Sequence, residues 1–443
     1  MKGSVPLIAW IVVGVALFIS FVADFNNVGQ GGAIDLRNRI TGARLLEDGR
    51  DAYHYKWHYG EPEKYADVYN NPKLTVSKTT ASPALLLLHL PLAGMPYRLA
   101  QYVWFFLQWL FLAGTGWLWW RVCATPRQRL LVALAMTGFT YTAAWRLHAE
   151  RGQAYVLLAF LLAAWMVLTL DEKRSRRFVV SCAAGFLAGL LVALRPTFAL
   201  LLPFLALHRR AQLAGVAVGL ALGIGLPMLP HEAAWPEYIV AMQQNSEYYR
   251  DGFDPRPGRQ HYPGIIEGTS TQIMAHYVAI PYADFSAQAL LHALGIVAFP
   301  ALPVLLVWAV PFAFWLWFSR RQPVASLLPA VAAWAFLADL FLPAYRDSYN
   351  DVLILDVLAP VLAVAPRFPW VAWPAVVALP MGLWIYAYSP DQPWLINVPT
   401  ALFAVSAVWV VFAVGKNGAG GTYGTNRQGL SPQLPRQGRN LQP

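Results

Sequence analysis

The chain alternates long apolar runs with short polar connections, a rhythm that predicts a bundle of membrane-crossing helices. A crossing takes roughly 20 apolar residues, since a helix rises about 1.5 Å per residue through a hydrocarbon layer about 30 Å thick. Twelve segments meet or approach that length: 5–23, 99–120, 130–145, 153–170, 178–194, 196–207, 211–229, 300–318, 324–341, 352–365, 370–388 and 394–414. A further apolar run, Pro83 to Gly94, is too short to cross and carries His89 and Pro91. No internal repeat is visible in the sequence.

Positive charge orients these segments. Arg121, Arg127 and Arg129 share one connection, and Lys173, Arg174, Arg176 and Arg177 another. Arg209 with Arg210, Arg320 with Arg321, and Arg367 mark three more. Cytoplasmic loops collect Lys and Arg, which assigns these connections, Lys2 and the C-terminal tail to the cytoplasm. Both termini then lie inside after twelve crossings, provided that 83–94 is a re-entrant or interfacial helix in the first outer loop. Lys2 ahead of an apolar run is like a signal peptide, but no small-x-small cleavage site precedes Asp24, so the first helix is expected to be retained.

Composition agrees with an all-α polytopic membrane protein. Of 443 residues, 57% are hydrophobic and 13% charged, too little charge to keep a soluble chain of this size dissolved. The net charge of +10 would suit nucleic acid, yet its gathering in the presumed cytoplasmic connections is what insertion selects, so no nucleic-acid partner is expected. Cys123 and Cys182 suit neither a disulfide nor a metal site. Residues 1–415 are read as an integral membrane domain with large outer loops at 24–98 and 230–299. The stretch 416–443 is read as a disordered cytoplasmic tail.

This topology gathers the remaining polar groups on the outer face. Asp24, Asp35, His54 and Lys78 fall in the first outer loop; His148, Glu150, Arg151 and Gln153 lie between the third and fourth spans; Arg195 sits at the turn before the short sixth span. Arg346, Asp347, Tyr349, Asn350 and Asp351 fall on the same side. Asp339 and Asp356 lie within spans, each about 6–8 Å from its outer end at helical rise. Ionisable groups in a membrane are costly and mark function, so a shared outer cavity is expected.

Four pieces, in order, carry a resemblance to glycosyltransferase family 87. The stretch from Asp35 to Tyr53 looks like the family's segment after the first helix, in which an Asp heads a helix that Gly and Tyr end. Ser82-Pro83 with Pro91-Leu92 and Pro96-Tyr97 is similar to its proline-led amphipathic helix. Arg151-Gly152-Gln153, followed by Tyr155, resembles its Gly-Gln element. Gly185, Gly189 and Arg195-Pro196-Thr197 look like its Gly-rich span ending in a basic residue and proline. Arg195 stands where Lys is common, and Asn350-Asp351 near where many members have His. The resemblance implies a C-class membrane glycosyltransferase fold. It also implies transfer of a sugar, mannose or another hexose first among the expectations, from a polyprenyl-phosphate donor to a glycan, glycolipid or protein acceptor. The setting it implies is the extracytoplasmic face of a bacterial-type plasma (inner) membrane.

That chemistry needs a base for the acceptor hydroxyl, a cation for the departing phosphate, and exclusion of water. The resemblance implies Asp35 as the base of an inverting displacement; the alternative is an ordinary helix N-cap. Asp24 is read as a solvated helix end or a second acceptor contact. Arg195 could bind phosphate oxygens, or could snorkel to lipid headgroups. Arg151 and Arg346 are weaker candidates of the same kind. His148 is read as shaping the donor site with Glu150 or as interfacial, and Gln153, His261 and Tyr349 are further candidate substrate contacts. Trp235, Tyr238, Tyr248 and Tyr249 suit sugar rings or an interfacial belt equally. No cofactor and no required metal are expected. A transporter or flippase of lipid-linked saccharides would instead show repeats and midplane charges. A polysaccharide polymerase or ligase would place its outer Arg- and His-bearing loop late in the chain.

Overall fold

The computed structural model describes residues 6–55, 60–65, 79–170, 177–250, 301–342, 348–364, 402 and 404–413. Among these, every regular element is a helix. In order they are α1 (Leu7–Gly31), α2 (Ile34–Glu47), α3 (Pro83–Ala93), α4 (Tyr97–Val122), α5 (Pro126–Phe139), α6 (Ala143–Arg151) and α7 (Tyr155–Leu170). They continue with α8 (Phe178–Leu194), α9 (Leu201–His208), α10 (Leu213–Met228), α11 (Ala234–Arg250), α12 (Ala301–Ser319), α13 (Val324–Phe341) and α14 (Leu355–Val364). The tail at 416–443, the loop beyond residue 250 and the segment 370–388 lie outside the described residues.

Three of the described helices are long and apolar enough to cross a membrane: Leu7–Gly29, Arg210–Met228 and Val324–Phe341. They differ in setting. The first is 17% buried and turns Leu7, Ile11, Val15 and Phe18 outward, whereas the last is 78% buried. Helices α7 and α8, at 16 and 17 residues, fall just short of a full crossing.

The expected span 130–145 is a bent pair, α5 and α6, at 63°. The reason lies in two threonines. Thr140 Oγ1 donates to the Thr137 carbonyl (2.8 Å) and Thr142 Oγ1 to that of Phe139 (2.7 Å), and Thr142 then caps α6 by accepting from the Trp145 amide (3.2 Å). Hydroxyls that compete for backbone partners favour such breaks and caps. The sixth expected span, 196–207, is likewise divided into a 3-10 turn, Pro196–Leu200, and α9.

Helices α8 and α10 pack backbone to backbone. A Cβ added at Gly185 would lie 1.9 Å from the Gln212 carbonyl oxygen, and one at Gly215 would lie 2.1 Å from that of Cys182. Gly189 and Gly219 repeat the pattern one turn further on, each 2.4 Å from a facing carbonyl oxygen. Glycines spaced by four share one helix face, and in an apolar medium small residues allow this approach. Its effect is to set the end of α8, and so Arg195, at a fixed depth.

Asp356 corrects an expectation. Rather than joining the polar groups around Asp35, it accepts from Trp119 Nε1 (3.4 Å), in the last turn of α4. The opposite end of α4 begins at Tyr97, whose hydroxyl donates to the Ala33 carbonyl beside Asp35 (3.0 Å). The preceding segment Ser348–Ile354 is a 3-10 helix, which rises about 2.0 Å per residue and carries the chain further down than an α-helix would.

Candidate active site

Asp35 is placed by the break between α1 and α2. The chain turns there through Ala33, a non-glycine residue in the left-handed region (φ 49°). That conformation costs an L-residue roughly 1–2 kcal/mol, and the Tyr97 hydroxyl, which bonds both Gly32 and Ala33 carbonyls, holds it in place. Ala33 is the N-cap of α2 and makes no side-chain cap, so Asp35 stands inside the first turn and is not the capping residue. Buried Leu36, Ile40, Ala43 and Leu46 fix the inward face of α2. Its end is a Schellman turn: Gly49 (φ 68°) lets its own amide reach Leu46 and the Arg50 amide reach Leu45 (3.1 and 2.9 Å). Asp51 accepts from the amides of Tyr53 and His54 (2.7 and 3.0 Å), which directs Tyr53 Oη onto the Ala81 carbonyl (2.9 Å).

Gly152 brings the second part. It ends α6 with φ 69°, and its carbonyl accepts from Arg39 Nη1 and from Trp104 Nε1, both at 2.8 Å. Any side chain here would collide, since a Cβ would lie 2.7 Å from that of Leu36. The next residue, Gln153, accepts from Arg39 Nη2 through Oε1 and donates through Nε2 to Asp35 Oδ2 (2.6 Å).

Arg195 brings the third part. Ser82 Oγ caps α3 and donates to the Leu194 carbonyl (2.9 Å), tying the start of α3 to the residue before Arg195. The guanidinium pairs with Asp339 through Nε (2.6 Å) and Nη2, while Asn350 Nδ2 donates to the other carboxylate oxygen (3.3 Å). It also lies over the Tyr155 ring, 4.8 Å from its centre. Snorkelling to lipid headgroups is therefore not its role in this structure, because the carboxylate of a buried Asp holds it.

These three parts line one cavity of about 110 Å³, with Asp35, Arg39, Gln153, Tyr155, Arg195 and Tyr349 among its walls. Tyr349 comes from the 3-10 segment before α14, and Arg151 lies over its ring at 5.7 Å. Two other sequence candidates sit elsewhere. Asp24 is not solvated: it is 1% exposed and accepts from Trp145 Nε1 at 2.7 Å. His148 is fully buried, and its Nε2 accepts from the Val156 amide (3.1 Å), where it braces the α6–α7 turn away from the cavity wall. His261 and Arg346 lie outside the described residues. Among the described residues no group of three or more His, Cys, Asp or Glu is gathered as a metal site would require.

Sequence reading missed Arg39 and gave Asp339 no partner. Arg39 is one helical turn after Asp35, which was the available signal. Nothing local could pair Asp339 with a residue 144 positions earlier.

The model of glycosyltransferase family 87 matches residues 80–343, more than half of the chain. Gln153, Arg195 and Asp339 fall within the matched stretch, and Asp35 and Tyr349 outside it. No curated protein and no solved structure matches the chain.

Proposed function

The chain belongs to glycosyltransferase family 87, and from that premise we propose that it transfers a sugar from a polyprenyl-phosphate donor to an acceptor hydroxyl. The reaction is an inverting single displacement with Asp35 as general base. It takes place at the extracytoplasmic face of a bacterial-type plasma membrane, within a C-class fold of about twelve spans. A hexose such as mannose is the sugar the family favours, and the acceptor is a glycan, glycolipid or protein. The observation that carries this reading is the meeting of Asp35 and Arg195, 160 positions apart, in one cavity.

Each group has a chemical task. Among the described residues Asp35 Oδ1 has no partner and is available to take the acceptor proton, a contribution of roughly 10²–10⁴-fold. Arg195 commits Nε and Nη2 to Asp339. Its remaining edge can bond a phosphate oxygen as negative charge builds on the leaving group. Tyr155 and Tyr349, whose rings stand 5.8 Å apart, present faces for a sugar ring. The Asp339 carboxylate keeps the resting site near electrical balance, so a phosphodiester enters without a large surplus of positive charge.

The test is Asp35→Asn in purified protein supplied with a polyprenyl-phosphate hexose. We expect transfer to fall by about 10²-fold or more while donor binding and detergent-solubilised yield are retained. Transfer near the level of the unaltered protein would remove Asp35 from the mechanism.

A further inference from the structure

We propose that Arg39 and Gln153 form a brace that selects which oxygen of Asp35 receives the acceptor proton, so that Gln153 is a positioning residue and not a substrate contact. This rests on Asp35 being the base. The argument is one of donor and acceptor arithmetic. A guanidinium has only N–H groups to offer, so the Gln153 amide must turn Oε1 toward Arg39 Nη2. Its Nε2 is thereby directed onto Asp35 Oδ2 at 2.6 Å. A flipped amide would set N–H against N–H on one side and oxygen against oxygen on the other.

Neither member can swing away. Arg39 Nη1 is held by the Gly152 carbonyl, which Trp104 also grips, and the Gln153 carbonyl accepts from Gln108 Nε2 at 2.9 Å. Arg39 and Gln153 are 8% and 3% exposed. The hydrogen donated to Oδ2 lowers the basicity of that oxygen and takes one of its two lone pairs, which favours Oδ1 as the oxygen that receives the proton. In the transfer step the acceptor O–H bond breaks, its oxygen bonds the anomeric carbon, and the bond from that carbon to the phosphate oxygen breaks with its electron pair. The proton ends on Oδ1.

Gln153→Glu separates this role from mere packing. The introduced carboxyl can mimic the amide donor only while it holds a proton; beside the Arg39 guanidinium it ionises at neutral pH and then repels Asp35, and it regains the proton as pH falls. We expect transfer at neutral pH to fall about 10-fold or more, with the donor KM changed less than about twofold, and to recover as pH is lowered. If Gln153 only packs against Arg39, the new carboxylate pairs with the guanidinium and transfer at neutral pH stays near that of the unaltered protein; that result overturns the brace. Gln153→Leu supplies a readout independent of turnover, carbodiimide labelling of Asp35 followed by mass spectrometry. Labelling should rise several-fold when the brace is removed, and unchanged labelling also overturns it. Raised labelling together with no transfer by the unaltered protein would leave the brace standing and overturn the glycosyltransfer reading instead.

Discussion

The α8–α10 seam and the junction around Gly152 both depend on glycine, yet they are held by opposite means. At the seam, Gly185, Gly189, Gly215 and Gly219 remove side chains so that two backbones touch, and stability there is a matter of shape. At the junction, Gly152 offers a carbonyl to Arg39 and Trp104, and stability is a matter of directed hydrogen bonds between groups hidden from solvent. The seam fixes where Arg195 stands. The junction fixes how Asp35 is presented. A site of this kind needs both, because packing has no preference for one carboxylate oxygen over the other, and hydrogen bonds alone do not set a helix at a given depth.

Three substitutions probe the contrast. Gly215→Leu should do the most damage: the facing atom is backbone, which cannot rotate aside, so the helices must separate. We expect a loss of about 3 kcal/mol or more, read as failure to recover monodisperse protein in detergent. Recovery at ordinary yield would show the seam to be looser than its geometry. Gly152→Ala comes next. It combines a left-handed φ of 69° with a Cβ 2.7 Å from Leu36, so about 2 kcal/mol should be lost, and transfer should fall even where folded protein is recovered. Folded protein with undiminished transfer would argue that the junction tolerates displacement.

The smallest effect is expected at the far end of α2. Hydrogen bonds from Lys64 (2.5 Å) and Tyr65 (2.7 Å) hold the Asp48 carboxyl below the usual carboxylate range. A depressed folded-state value means that the contribution is complete above the unfolded value, about 3.9, and is lost as pH falls through the lower folded one. Asp48→Asn should therefore lower the melting temperature by no more than about 2 °C at pH 7, and the difference should shrink as pH falls below about 3.9. A difference that persists in acid would show the effect to be steric.

The sequence made some of this legible and hid the rest. Asp35, Gln153 and Arg195 stood out because each falls in a stretch that resembles a family 87 motif. Asp24 and His148 stood out only as polar residues at the edges of apolar runs, and both are spent on internal bonds, to Trp145 and to the Val156 amide. Edge position reports that a polar group must be satisfied and does not say by whom. The break in 130–145 was hidden because Thr140 and Thr142 are compatible with a continuous helix until their hydroxyls choose backbone partners. The descent of Asp356 was hidden because apolar periodicity does not distinguish a 3-10 turn from an α-helical one.

By itself, then, the order of residues determined the helical class, the long apolar spans and the polar edges from which a site could be built, since these follow from burial of apolar surface and local hydrogen bonding. Tertiary structure alone decided that Asp339 neutralises Arg195, that Gln153 joins Arg39 to Asp35, and that Asp24 and His148 are inward braces. Each of those outcomes depends on which distant helix supplies a donor or acceptor within about 3 Å, a distance that no local pattern encodes.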